Sequence, residues 1–255
     1  MSQAPSLPGD VGELVEAIRL VVRDFDGRPT HVLQGMGGQR FEFFPTAITD
    51  NIPPLSHALS EAVCLLSRLH IDPALQPTLG VGEEDRGAMI TADILRQYHL
   101  PRTLARWTPS GAPGEVAVPL ANEYLAEGST QVYLNGVRPD DRVLVVDDLI
   151  STGGTLAALV RAVRQAGAQV VEIFTIGEKL ENTGRQRLMA AAGVTVKTLL
   201  ASDMQPTPEG LRSRVRRVHL GKLDSAVFQR VCAHFPAGFC HLGHGDHDEH
   251  ALPET

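Results

Sequence analysis

Residues 142–155 read RVLVVDDLISTGGT, and their order leaves few folds open. Residues 143–146 form an unbroken apolar run, the pattern of a strand covered on both faces in a parallel sheet; a half-solvated strand would alternate. Two acids end that run, and hydroxyls and a glycine pair follow. Leu156, Leu159, Val160 and Val163 then recur at helical spacing until Gly167 closes the helix. The next apolar strand, VVEIFTI, follows at once, and a further helix-to-strand step spans 184–200. Repeated strand–helix–strand units of this kind predict an α/β fold, a mostly parallel sheet flanked by helices.

The chemistry of this segment follows from its place in such a sheet. Asp147 and Asp148 stand at the carboxyl end of a buried strand, where ligands bind in open α/β sheets. Ser151, Thr152, Gly153, Gly154 and Thr155 open the next helix, where unpaired N–H groups and the helix dipole favour an anion. A phosphate cradle beside two carboxylates suited to a sugar diol describes a ribose 5-phosphate site. Neither GxxxxGK[ST] nor GxGxxG occurs here, so nucleoside triphosphate and dinucleotide readings are poor.

The rest of the chain supplies context. Residues 11–25 predict a helix with Leu14, Val15, Ile18 and Val22 on one face, 41–55 a strand and a structured loop, 56–70 a helix, and 76–95 strand, turn and helix. At 43% hydrophobic and 21% charged residues, the 255-residue chain is able to bury a real core. A net charge of −7 argues against a broad nucleic-acid surface. No apolar run approaches the roughly 18 residues of a membrane span, and the N-terminus has no signal-peptide pattern. Three cysteines are too few for a secreted disulfide framework, so a cytoplasmic location is expected.

VLVVDDLISTGGT resembles the phosphoribosyl pyrophosphate (PRPP) loop of type I phosphoribosyltransferases. Together with FFPTAITDNIPPL, GVGEEDRGA, GAPGEVAV and EKLENTGRQRL it is similar to the archaeal-type hypoxanthine/guanine enzymes, relatives of adenine phosphoribosyltransferase. The resemblance covers roughly residues 40–203 and implies transfer of ribose 5-phosphate from PRPP to a purine, with Mg²⁺ assisting and bound mainly through PRPP. It assigns the ribose hydroxyls to Asp147 and Asp148, the 5-phosphate to residues 151–155, and pyrophosphate to Glu84, Asp85, Arg86, Gly87 and Arg106. It also implies a small N-terminal hood over the purine, with Phe44, Ile48 and Thr49 as base contacts, and a homodimer. The domain organisation expected from it is a helical lead-in at 1–40, the transferase domain at 41–203 with its hood at 41–55, an extension at 204–238 and a flexible His-rich tail at 239–255.

Three departures from the family stand out. Trp107 and Thr108 occupy places where further basic residues are expected before the PGE segment. Trp107 reads as packing, with base stacking as the alternative. Ser151 stands where the other hypoxanthine/guanine branch has an acid, so the purine's proton falls to the lid at 113–127, with Glu127 as the candidate catalytic acid–base group beside Asp148, and Glu123 and Tyr124 as alternatives. His241, His244, His247 and His250 recur every three residues, but Gly243 and Gly245 argue against a helical metal site. Adenine or a modified purine as substrate, and a PRPP-sensing regulator without catalysis, remain open alternatives.

Overall fold

The structure is a computed structural model and describes residues 5–34, 40–120 and 131–245. Its elements run, in chain order, α1 (Val11–Phe25), β1 (His31–Gln34), β2 (Arg40–Phe43), α2 (Ala47–Asp50), α3 (His57–Ser67), β3 (Leu79–Glu83), α4 (Ala88–Gln97), β4 (Arg102–Ala105), β5 (Val116–Pro119) and β6 (Gln131–Leu134). β7 (Arg142–Ile150), α5 (Gly154–Gln165), β8 (Gln169–Lys179), α6 (Gly184–Ala192), β9 (Lys197–Thr207), β10 (Gly210–His219), α7 (Ser225–Cys232) and β11 (Cys240–His241) complete it.

Seven strands make the main sheet, in the order β11-β10-β9-β8-β7-β3-β4. The five from β9 to β4 are parallel, and β10 turns back antiparallel along β9. The apolar run of β7 explains its central place. Val143 and Val145 enter the core on the α5–α6 side, while Leu144 and Val146 enter the core shared with α1, α3 and α4. All four are fully buried, which contributes about 1.5–3 kcal/mol for each side chain. Two small antiparallel ladders, β1–β2 and β5–β6, stand apart from this sheet.

The boundaries expected from the sequence do not coincide with structural breaks. Leu14, Ile18, Val21 and Phe25 of α1 are at most 1% exposed and share the core of α3 and the sheet. Residue 203 falls inside β9, which continues into the β9–β10 ladder. Of the tail, residues 239–243 follow β10 and the turn after it through Val218 N–H to Phe239 O, Leu220 N–H to His241 O and Gly221 N–H to Gly243 O, each 2.8 Å. These backbone bonds order a segment that its glycines and polarity marked as loose. His247 and His250 lie outside the described residues.

α1 also builds the hood. Asp24, 4% exposed, accepts the Ala47 and Ile48 N–H groups at 3.0 and 3.1 Å, at the start of α2, and pairs with Arg28 at 3.0 Å. Thr46 caps the same turn, accepting from Thr49 N–H. The hood is thereby held by a buried carboxylate from the N-terminal helix. Asp24→Ala should destabilise the protein by about 2–3 kcal/mol, since two amides and a guanidinium lose a charged acceptor, and urea unfolding measures this loss.

Candidate active site

A cavity of about 410 Å³ opens where the carboxyl ends of β3 and β7 meet the hood, within the usual size of a small-ligand site. Asp147 and Asp148 form its floor, 5% and 6% exposed, and the Asp148 N–H donates to Asp147 Oδ1 at 3.0 Å. Residues 151–155 form the wall at the start of α5, which has no side-chain cap, so its first-turn amides remain for a ligand. The backbone there is held close to α6. A Cβ on Gly153, at φ +77°, would lie 2.6 Å from Gly184 O, so no larger residue fits. Asn182 donates to the Ser151 hydroxyl at 2.7 Å.

The opposite wall is the 83–87 turn. Asp85 and Arg86 line the cavity; Arg86 Nε lies 3.3 Å from Asp50 Oδ1, and its guanidinium stacks 5.0 Å above the Phe43 ring. Gly87 has φ +71°, and a Cβ there would fall 2.5 Å from Asp148 Cβ, so the two anion-binding turns touch at this glycine. Glu84 and Arg106 do not line the cavity. They pair with each other at 3.5 Å, and Glu84 also accepts the Trp107 amide at 2.7 Å.

The expected base contacts divide. Phe44 and Thr49 line the cavity, whereas Ile48 is 2% exposed and points into the hydrophobic core. The Asp24 cap on α2 rotates Ile48 inwards, which corrects its expected role as a base contact. Thr49 uses its hydroxyl on Asp50 Oδ2 at 2.5 Å, within the capping box of α2. Of the lid, residues 113–120 are seen, with β5 paired to β6. Glu123, Tyr124 and Glu127 lie outside the described residues.

Among the cavity residues not expected from the sequence are Phe43, Asp50, Glu83 and Lys179. Lys179 is 3% exposed, stands 5.5 Å over the Phe44 ring and donates to Glu42 O at 3.2 Å. It ends β8, neighbour to β7, so the rule that ligands gather at strand carboxyl ends was a usable signal. Glu83 ends β3 in the same way, and its Oε2 accepts the Trp107 indole N–H at 2.9 Å.

Crowding of acids sets the electrostatics. Burial and then the neighbouring Asp148 push the Glu83 carboxyl up to about 8. Burial, followed by the charges of Asp148 and Glu83, holds Asp147 well above the ordinary carboxylate range, and burial raises Asp148 to about 7. The free protein therefore retains protons here at neutral pH. Among the described residues no group of three or more His, Cys, Asp or Glu is arranged to hold a metal ion. The hard carboxylate oxygens on the floor suit the surroundings of a Mg²⁺ ion carried in by a phosphate ligand.

Comparison with known proteins agrees with this geometry. The model of the phosphoribosyl transferase domain matches residues 81–203. A hypoxanthine/guanine phosphoribosyltransferase of Methanothermobacter marburgensis is 34% identical over 166 residues, 64% of this chain and 83% of that protein. The chain belongs to the type I phosphoribosyltransferases. The HGPRTase-like protein 3 of Haloterrigena turkmenica is 36% identical over 141 residues, 55% of this chain and 74% of that one. Among solved structures, the fold matches adenine phosphoribosyltransferase from Rhodothermus marinus (TM-score 0.54, 24% identity, 75% of this chain and 99% of that one). It also matches the Trypanosoma brucei enzyme in complex with AMP, pyrophosphate and ribose-5-phosphate (TM-score 0.55, 22% identity, 73% and 79%). Among the described residues no helix is long and apolar enough to cross a membrane.

The raised acids of this phosphoribosyltransferase carry a stability consequence. A carboxyl whose folded pKa lies above its unfolded value keeps its proton in the folded state after the unfolded chain has lost it. Stability therefore falls as pH rises between the ordinary value of 4.5 and about 8, and the penalty is full above that. Glu83→Gln has no such penalty. Without ligand, its melting midpoint should match the parent near pH 4 and exceed it at pH 8.5, by about 2–4 °C for each kcal/mol relieved.

Proposed function

We propose that the protein transfers ribose 5-phosphate from PRPP to a 6-oxopurine, hypoxanthine or guanine, releasing pyrophosphate. The observation that carries the choice of base is Lys179, a buried ammonium at the cavity wall beside Phe44. An ammonium has donors and no acceptor, so it matches a carbonyl at the purine 6-position and opposes an amino group there. Phe44 offers a ring at the same wall against which a flat base packs.

The reaction then follows from the chain's own groups. A purine nitrogen forms its bond to C1 of the ribose as the bond from C1 to the pyrophosphate oxygen breaks, and the nitrogen's proton leaves the base. Asp147 and Asp148 accept hydrogen bonds from the ribose hydroxyls, donors that offset the burial and crowding of the two acids. Residues 151–155 hold the 5-phosphate through N–H and hydroxyl donors at the start of α5. Positive charge develops on the sugar and negative charge on the leaving group, and the 83–87 turn with Arg86 stands at the leaving-group side. Mg²⁺ bound through PRPP supplies further charge neutralisation to the departing pyrophosphate. The base's proton is assigned to Glu127 of the lid.

Pyrophosphate release from PRPP and Mg²⁺ with a panel of bases tests the reading. Hypoxanthine and guanine should turn over at least tenfold faster than adenine. Preference for adenine would replace the oxopurine reading, and binding of PRPP without turnover of any base would replace it with a PRPP sensor. Asp148→Asn should reduce kcat/KM by about 10–100-fold with the fold intact by circular dichroism, since a charged hydrogen bond to the ribose is lost. Lys179→Met should cost oxopurine turnover a similar factor of about 10–100 and reduce discrimination against adenine, measured as the ratio of the two kcat/KM values.

A further inference from the structure

Trp107 is the chain's single tryptophan, and its surroundings are unusual for a packing residue. Its ring packs against the hydrophobic cluster on the α5 side of the sheet and also lines the cavity. Its two N–H groups end on two successive carboxylates: the indole Nε1–H donates to Glu83 Oε2 at 2.9 Å, and the backbone N–H to Glu84 Oε1 at 2.7 Å. The preceding residue, Arg106, pairs with Glu84 through its side chain at 3.5 Å and with Tyr133 of β6 through reciprocal backbone bonds of 2.8 Å. Residues 106 and 107 thus join the 83–87 turn to the β5–β6 ladder.

This arrangement has a consequence for an anionic ligand. Glu83, Asp85, Asp147 and Asp148 all line the cavity, and Arg86 already faces Asp50. A diphosphate entering beside the 83–87 turn passes acidic side chains, which obstruct it if they swing into its path and repel it when ionised. Trp107 donates to two acids, Glu83 of the cavity wall and Glu84 outside the cavity lining. Coulomb repulsion depends on separation, and an acid held by an N–H donor does not swing toward an incoming anion, so holding both lowers the cost of placing a diphosphate here.

We propose that Trp107 is a positioning residue for the diphosphate end of the substrate, restraining Glu83 and Glu84 so that the 83–87 turn receives the pyrophosphate group. The proposal rests on the PRPP reading of the cavity. The indole acts through the turn, with restrained acids where a further cation would otherwise stand. A base-stacking role for Trp107 is the competing use of the same ring, and it predicts sensitivity to the purine instead.

The test compares three ligands by calorimetry: PRPP with Mg²⁺, pyrophosphate with Mg²⁺, and ribose 5-phosphate, which reaches the 151–155 loop without needing the 83–87 turn. Trp107→Phe keeps a ring and removes the indole N–H. It should weaken PRPP and pyrophosphate by about 3–10-fold and leave ribose 5-phosphate unchanged, the size expected for one ordinary hydrogen bond lost. Glu83→Leu removes the acid that the indole restrains, so it should bind PRPP and pyrophosphate at least as well as the parent, and adding Trp107→Phe to Glu83→Leu should cost much less than Trp107→Phe costs in the parent.

In the unaltered protein, the emission of this lone tryptophan should shift with pyrophosphate and Mg²⁺ and stay constant with ribose 5-phosphate, a readout independent of any variant. Equal weakening of all three ligands in Trp107→Phe, no weakening at all, or an emission change with ribose 5-phosphate as large as with pyrophosphate overturns the proposal. Failure of the unaltered protein to bind any of the three ligands overturns the PRPP reading itself. Normal binding by the unaltered protein matched by Trp107→Phe overturns this inference alone.

Discussion

Gly87 and Asp148 touch, and the geometry of the whole site follows from that contact. The turn after β3 and the loop after β7 come from strands that are neighbours in the sheet, paired in register from Leu79 with Val143 to Val81 with Val145. Their carboxyl ends must diverge to make room for a ligand, and they diverge around one point where a Cβ would lie 2.5 Å from Asp148 Cβ. The contact persists only if the strands do not slide. That register is fixed by β7, whose residues alternate between two separate cores and would exchange them in a slip of one residue. Burial on both faces of one strand therefore sets the distance between Asp147 and Asp148 and the 83–87 turn.

The same geometry concentrates charge that the empty protein does not favour. Glu83, Asp147 and Asp148 share a buried volume, and each holds its proton more tightly than an exposed acid would. The strain is local, because the surrounding sheet and the α5 side of the core are apolar and well packed. A ligand bringing hydroxyl donors and a cation relieves it, whereas an anion alone aggravates it. Affinity at such a site therefore depends on the ligand's cation and hydroxyls as much as on its phosphates.

How much of this was legible in the sequence depended on whether the relevant residues were neighbours in the chain. The β7–α5 unit was readable because its apolar run, acids, glycines and helical spacing are contiguous, and 85–87 was readable for the same reason. Phe44 lines the cavity whereas Ile48 turns into the core, because the sense of the α2 turn is set by Asp24, more than 20 residues upstream on another helix. Asp50 enters the cavity from the hood with no local pattern to announce it, and Lys179 is marked only by its place at the carboxyl end of β8. β10 was read as part of an extension because its strand is half-solvated. Ser213, Val215 and Val218 face inwards between exposed or half-exposed arginines, a pattern much weaker than an apolar run. The bonds from Trp107 to Glu83 and Glu84 are invisible for the opposite reason: the two acids and the tryptophan lie on adjacent parallel strands separated by α4.

Those parallel strands also connect the cavity to the β5–β6 ladder. The β5–β6 ladder is tied at two places. Arg106 bonds Tyr133 on one side, and Arg161 of α5 donates to Pro119 O at 2.9 Å on the other. Pro119 pairs directly with Gln131, next to a fully buried Leu120. One tie reaches the 83–87 turn through Arg106 and Trp107; the other reaches the helix whose first turn lines the cavity. The β5–β6 ladder is thereby referenced to both walls of the cavity at once, and through them to the Gly87–Asp148 contact.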